Sequence, residues 1–295
     1  MKKIFFLTCF ITYLEASVTF FVGTDPHYGQ EQLSSNEEIN KQVIYDMNQL
    51  PNQNYPEFFG GTVQSPKAVI VTGDLTDMGS FWQWYGLSLY FRFLQLDGFI
   101  SDYGLNGENL LNFPVFEGYG NHDNLAWLEW VQDSIKYRNQ NRKENINISE
   151  NGLHYSWDWE GVHFIQLNIY PGDSEEAEQS LTFLKYDLQN NLKDPKTPLV
   201  LFHHYGFDGY SDDWWTSEER ENYYQVIKDY NVAAIFQGHQ HSVFHIVWKG
   251  IDVFSSGAMK DNSYFVCQID DKKLKIINRE NGSWGDWHFE KEIVQ

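Results

Sequence analysis

Basic residues are scarce in this chain. Lys and Arg number 21 against 41 Asp and Glu, a net charge of −20 over 295 residues. Nucleic acid and anionic membrane surfaces repel an acidic protein, so no nucleic-acid polymer is expected as a partner. Cysteine is nearly absent, with only Cys9 and Cys267. Long apolar runs are missing too: Ile4 to Leu14 is too short to span a bilayer, and no later segment reads as transmembrane. With Lys2 and Lys3 before it and the small Ala16 and Ser17 after it, this segment has the layout of a secretory signal. The expectation is a signal peptide over 1–17, a mature chain over 18–295, and a secreted or lumenal location. Cys9 would leave with the signal, so the mature chain could form no internal disulfide, and a domain this large does not need one. Cys267 lies in an alternating pattern and reads as a small core residue. Asn147-Ile148-Ser149 and Asn281-Gly282-Ser283 fit the acceptor pattern for N-glycosylation, which would make the protein a glycoprotein.

Apolar residues make up 42% of the chain and aromatics 17%, enough for a sizeable core. Val18–Gly23, Ala68–Thr72, Pro114–Tyr119, Pro198–Phe202 and Val232–Phe236 read as strands. Helical spacing covers 34–50, 81–96, 125–137, 175–192 and 217–230. Leu153–Trp159 and Val162–Ile169 form a hairpin around Glu160-Gly161, and strands dominate after Ser242. Strand–helix alternation implies parallel units and the hairpins imply mixed sheets. There is no Gly-, Pro- or Ser-rich linker and no repeat, so 18–295 reads as one domain.

Five polar motifs follow these apolar strands: Asp25-Pro26-His27, Gly73-Asp74, Gly120-Asn121-His122-Asp123, His203-His204 and Gly238-His239-Gln240-His241. Carboxylates, imidazoles and a carboxamide therefore stand at strand ends, where α/β folds bind ligands. Asp25 and His27, two apart on an extended segment, point the same way. The residue types suit a pair of divalent cations such as Zn, Mn or Fe rather than a soft-metal site. His122 has the chemistry of an acid or base. His154, His163 and His245 lie in strand patterns and read as packing residues.

The motif set, in this order and spacing, resembles the calcineurin-like metallophosphoesterase family over residues 25–241. The resemblance implies a four-layer α/β/β/α sandwich of two mixed β-sheets flanked by helices. It implies two divalent or trivalent metal ions about 3.5 Å apart. Asp25, His27, Asp74 and His241 would hold one, Asp74, Asn121, His203 and His239 the other, with Asp74 bridging. By the same resemblance His203 is preferred to His204 as ligand. A metal-bridging hydroxide would attack phosphorus, with His122 as acid or charge stabiliser.

Met78 follows Gly73-Asp74-Leu75-Thr76-Asp77 where the protein phosphatases of this family usually carry Arg, and Asp123 stands where they carry Glu. Asp77 stands where purple acid phosphatases place Tyr. These departures make the chain more similar to the diesterase, nucleotidase and sphingomyelinase-like branches. The expected substrate is a small-molecule or lipid phosphoester, leaning to a diester. The alternatives are an acid-phosphatase-like phosphomonoesterase and a non-catalytic ligand-binding module. Trp214 and Trp215, in the polar loop after His203-His204, are the candidate substrate contacts, with His204 beside them.

Overall fold

The computed structural model describes residues 17–29, 35–77, 87–124, 129–209, 211–270 and 273–293. Residues 1–16 of the expected signal peptide (1–17), the first residues of the predicted helix at 81–96, Met78 and Trp127 lie outside them, and Ser17 is the first residue of a strand. Among the described residues there are five helices, α1 (Ser35–Gln49), α2 (Leu87–Asp102), α3 (Trp130–Asn141), α4 (Ser180–Asn190) and α5 (Ser217–Ile227). The strands are β1 (Ser17–Gly23), β2 (Val69–Val71), β3 (Val115–Glu117), β4 (Asn147–Ile148), β5 (Tyr155–Trp159), β6 (Val162–Gln166) and β7 (Leu199–Phe202). They continue with β8 (Val232–Gln237), β9 (Val243–Trp248), β10 (Ile251–Ser256), β11 (Ser263–Asp270), β12 (Lys273–Glu280) and β13 (Ser283–Glu292).

Two mixed sheets result. One runs β13-β12-β11-β1-β2-β3, the other β4-β5-β6-β7-β8-β10-β9. β1, β2 and β3 are parallel, as are β6, β7, β8 and β10. Hairpin partners make up the rest, as at β5–β6. There Glu160 and Gly161 both have positive φ, the turn that matches strand twist.

Alternation along the strands separates two cores. Val18, Phe20 and Val22 of β1 pack with Phe116, Trp157, Phe164, Phe202, Phe236 and Cys267, all from strands of the two sheets. Phe21 points the other way, into a core that includes Val43 and Met47 of α1, Ile135 of α3, Leu184 of α4 and Tyr223 of α5. The sheets therefore face each other and helices cover their outer faces. Cys267 is fully buried between the sheets, and burial pushes its thiol pKa well up, which suits a packing residue.

Several helix boundaries differ from the periodic pattern: α3 runs on to Asn141 past the expected 137, and α5 stops at Ile227 rather than 230. α4 begins at Ser180 rather than 175, because Glu178 and Gln179 adopt positive φ and break the helical path. Gln179 at its N-cap makes no side-chain bond, and Asp173 from the preceding loop accepts from Thr182 N in the first turn at 2.8 Å. α2 runs on to Asp102, past the expected end at 96.

His163 does more than pack. Its Nδ1 and Nε2 each lie 2.7 Å from a carboxylate, Asp158 on β5 and Asp187 on α4. Burial would lower its pKa, but the two hydrogen bonds raise it to about 9. A folded pKa above the unfolded value near 6.5 means the stabilisation is complete below that value and disappears as pH rises through about 9. Because Asp158 is exposed, the expected size is about 1–3 kcal/mol rather than the full linkage value. Urea unfolding at pH 6 and pH 9.5 should show a larger loss for the wild type than for His163→Gln. Equal losses would remove His163 as the cause.

Candidate metal centre

The first sheet ends β1, β2 and β3 at one rim, placing Asp25 and His27, Asp74, and Asn121 and His122 there. The second sheet ends β7 and β8 at the same place, with His204, His239 and His241. The ligand atoms of Asp25, His27 and His241 lie within 4.8 Å of one another, as do those of Asp74, His204 and His239. Those of His27, Asp74 and His122 form a third such group, so the first two sets adjoin.

Direct distances show how closely the donors converge. His241 Nε2 is 3.0 Å from Asp25 Oδ1 and 3.2 Å from His27 Nε2. His27 Nε2 is 3.6 Å from Asp74 Oδ2, and His204 Nε2 is 3.1 Å from the same oxygen. Asn121 Oδ1 accepts from His204 Nε2 at 3.0 Å. Two imidazole Nε2 atoms 3.2 Å apart cannot both present lone pairs to each other without repulsion, whereas a shared cation satisfies both. The N and O donors suit the harder or borderline divalent metals. These residues fit a metal pair.

Backbone conformation is part of this arrangement. Asp25, His27, Asp74, His239 and His241 all have positive φ, between 45° and 73°. Residues with side chains seldom adopt that region, and each instance costs about 1–3 kcal/mol. Gly120 is required for space: a Cβ there would sit 2.3 Å from Asp74 Oδ1 and 2.7 Å from His204 Nε2.

Supporting residues fix the donors. Thr24 Oγ1 donates to Asp25 Oδ2 at 2.6 Å and His239 N donates to it at 3.1 Å. His122 N donates to Asp74 Oδ1 at 2.8 Å. Asp123 ties two loops together, accepting from Leu75 N and Thr76 N at 2.9 Å and Gly120 N at 3.0 Å. Asp77 Oδ1 lies 3.1 Å from His27 Nδ1, a carboxylate–histidine contact that orients the ring. The Asp77 carbonyl accepts from His122 Nδ1 at 2.6 Å.

The electrostatics follow. Burial opposes ionisation of Asp25, yet hydrogen bonds from His241 and His27 hold its pKa well below the usual range. Asp74 is also lowered despite burial, chiefly by His204. Burial would lower His27, but Asp25 and Asp77 raise it to about 10. Burial drives His239 down to about 4. Burial and the adjacent Asp74 charge push Asp123 up to about 6 against its backbone hydrogen bonds.

Two sequence expectations are corrected. His203 is not in the cluster. Its ring packs against Trp215 at 5.2 Å and Tyr223 at 5.9 Å, Nδ1 bonds the Tyr205 carbonyl, and burial lowers its pKa to about 3. His204 takes the place assigned to it. The strand phase explains why: Leu199, Leu201 and His203 face the helices, while Val200, Phe202 and His204 face the other sheet. Trp215 is fully buried and cannot contact a substrate. Trp214 is 42% exposed, stacked on Tyr205 at 5.7 Å and edge-on to His239 at 5.8 Å.

The correction is testable by metal content. His204→Ala should reduce metal affinity beyond the roughly 10–100-fold typical of losing a supporting contact. His203→Leu should retain metal in the folded fraction. Calorimetric titration and elemental analysis of purified variants check both; loss of metal in His203→Leu but not His204→Ala would reverse the assignment.

The family model for calcineurin-like phosphoesterases matches residues 18–243. Purple acid phosphatase 23 of Arabidopsis thaliana is 28% identical over 136 residues, covering 44% of this chain and 28% of that protein. The chain thus spans little over a quarter of that relative. GAP50, described as the anchor in the inner membrane complex of Plasmodium, superposes with TM-score 0.60 at 12% identity, covering 95% and 90% of the two chains. A phosphopantetheinyl hydrolase from Mycobacterium tuberculosis gives 0.43 at 12%, covering 84% and 92%. The family model spans most of the chain and every one of the converging residues, and the protein belongs to the calcineurin-like phosphoesterase family.

Proposed function

We propose that the protein is a metal-dependent hydrolase of a phosphodiester, on a lipid or small-molecule substrate. The observation that carries this is the convergence of Asp25, His27, Asp74, Asn121, His204, His239 and His241, with His122 beside them, from the ends of five strands. A bound metal pair supplies Lewis acidity and lowers the pKa of water. The chain's own contribution is then positional. Asp74 belongs to the group with His204 and His239, lies 3.6 Å from His27 Nε2 of the other group, and holds the His122 backbone. The Asp77 carbonyl can only accept, so His122 carries its proton on Nδ1 and Nε2 is left to exchange a proton with a departing alkoxide. His122 is 37% exposed, open enough for an ester to reach it.

An acid-phosphatase type of monoester hydrolysis is the second reading, favoured by the likeness to purple acid phosphatase 23. Asp77 argues against a tyrosine-ligated iron site, since its carboxylate turns to His27 Nδ1. A binding module is the third, with GAP50 as an instance of an anchor on this fold. We place the working protein in the secretory pathway, with residues 1–17 as leader and 18–295 as one domain. Asn281, exposed at the β12–β13 turn, is a better glycan acceptor than Asn147, whose amide donates to Ser156 Oγ at 3.0 Å.

The test is hydrolysis of bis-p-nitrophenyl phosphate against p-nitrophenyl phosphate with added Mn or Zn. Diester turnover abolished by Asp74→Ala is the expected result, and His122→Ala should cost roughly 10²–10⁴-fold in kcat. Turnover of the monoester alone would move the protein to the second reading. No turnover, with metal absent from folded protein, would leave the third.

A further inference from the structure

An aromatic ladder runs from the interior to the rim of the metal centre. Tyr170 stacks on Tyr205 with ring centres 5.6 Å apart, and Tyr205 on Trp214 at 5.7 Å. Its middle ring touches the donor cluster, Tyr205 lying 5.1 Å from His239. Its outer ring, Trp214, is 42% exposed, the one exposed tryptophan among the described residues.

Carboxylates accompany the ladder. Tyr205 OH donates to Glu176 Oε1 at 3.3 Å. Asp208, four residues past His204, accepts from Ser211 N at 3.0 Å, and the Ser211 carbonyl in turn accepts from Trp214 N at 3.1 Å. The nearby cations are engaged elsewhere. The Arg220 guanidinium sits over Trp215, pairs with Asp212, and donates through Nη2 to the Gly206 and Asp208 carbonyls at 3.1 and 3.3 Å. Lys249 pairs with Glu221 at 2.6 Å.

We propose that Trp214, backed by Tyr205 and flanked by Glu176 and Asp208, forms a subsite for a cationic group, a quaternary ammonium or protonated amine, on the phosphoester held at the metal centre. This rests on the phosphoesterase reading above. The face of an indole attracts a cation, most strongly where water is partly excluded, and flanking carboxylates add to that attraction. A purely apolar or nucleobase subsite would need the ring but not the carboxylates. Net charge selects in the same direction: a −20 protein repels substrates with several phosphates, whereas a zwitterionic ester approaches without that penalty.

Calorimetric titration of the metal-loaded full chain with phosphocholine and with 3,3-dimethylbutyl phosphate, its uncharged carbon analogue, isolates the charge. Phosphocholine should bind about tenfold tighter. Trp214→Ala and Glu176→Gln should each bring the two ligands within about threefold, and Trp214→Phe should keep part of the difference. Equal affinities in the wild type, with inorganic phosphate still bound, would overturn the subsite and leave the phosphoesterase reading standing. Failure to bind inorganic phosphate, together with no turnover of bis-p-nitrophenyl phosphate, would overturn both. Competition against that turnover by glycerophosphocholine or by phosphatidylcholine vesicles separates a soluble ester from a membrane headgroup. Competition by neither would also overturn the proposal.

Discussion

Asp25 and Asp74 place two negative charges at the sheet rim where almost no water reaches them, and much of the molecule is arranged to hold them. A buried carboxylate costs several kcal/mol unless paired and hydrogen-bonded. Asp25 receives a hydroxyl, a backbone N–H and an imidazole; Asp74 receives the His122 N–H and lies against His204 and His27. The left-handed backbone at Asp25, His27, Asp74, His239 and His241 is what turns these side chains inward together, and its cost is borne by the packed sheets beneath. Donor groups collected at such expense, with imidazole nitrogens facing each other, are organised around positive charge.

Neither sheet makes the site alone. The first delivers Asp25, His27, Asp74, Asn121 and His122, and the second delivers His204, His239 and His241. The distance between the two halves is therefore set by the core between the sheets. Phe20 meets Phe164 edge-on at 5.3 Å across that core, and Trp157, Phe164 and Phe202 lie nearly parallel to one another. Close packing of this kind yields little to strain. The high aromatic content noted in the sequence has its largest structural role here, fixing the separation of the two sets of donors.

Much of this was legible in the sequence because strand ends followed by Asp, His or Asn are local signals. The five motifs, the two sheets and the helix–strand alternation all rest on residues within a few positions of one another. What failed needed orientation rather than position. In His203-His204 the composition is symmetric, and only the phase of Leu199–Phe202 tells which imidazole faces the opposite sheet. Trp214 and Trp215 pose the same problem in a loop, where no period exists to read. The supporting roles of Asp123 and Asp77 could not have been found locally, since they depend on partners in the loops after β1 and β2, up to 50 residues away.

Asp77 shows how one substitution reshapes such a site. Its side chain contacts His27 Nδ1 and its own carbonyl receives His122 Nδ1, so one residue sets the ring orientation of a donor and the tautomer of His122. His27 and His122 are thereby mechanically joined, with ring centres 4.7 Å apart. A tyrosine at this position would keep the carbonyl and so the His122 contact, but it would lose the carboxylate that orients His27. The aspartate thus trades a direct oxygen donor for control of a histidine donor. It keeps the charge one layer back from the donor cluster, where it orients the His27 ring. The first layer remains imidazole, carboxylate and carboxamide, without a phenolate.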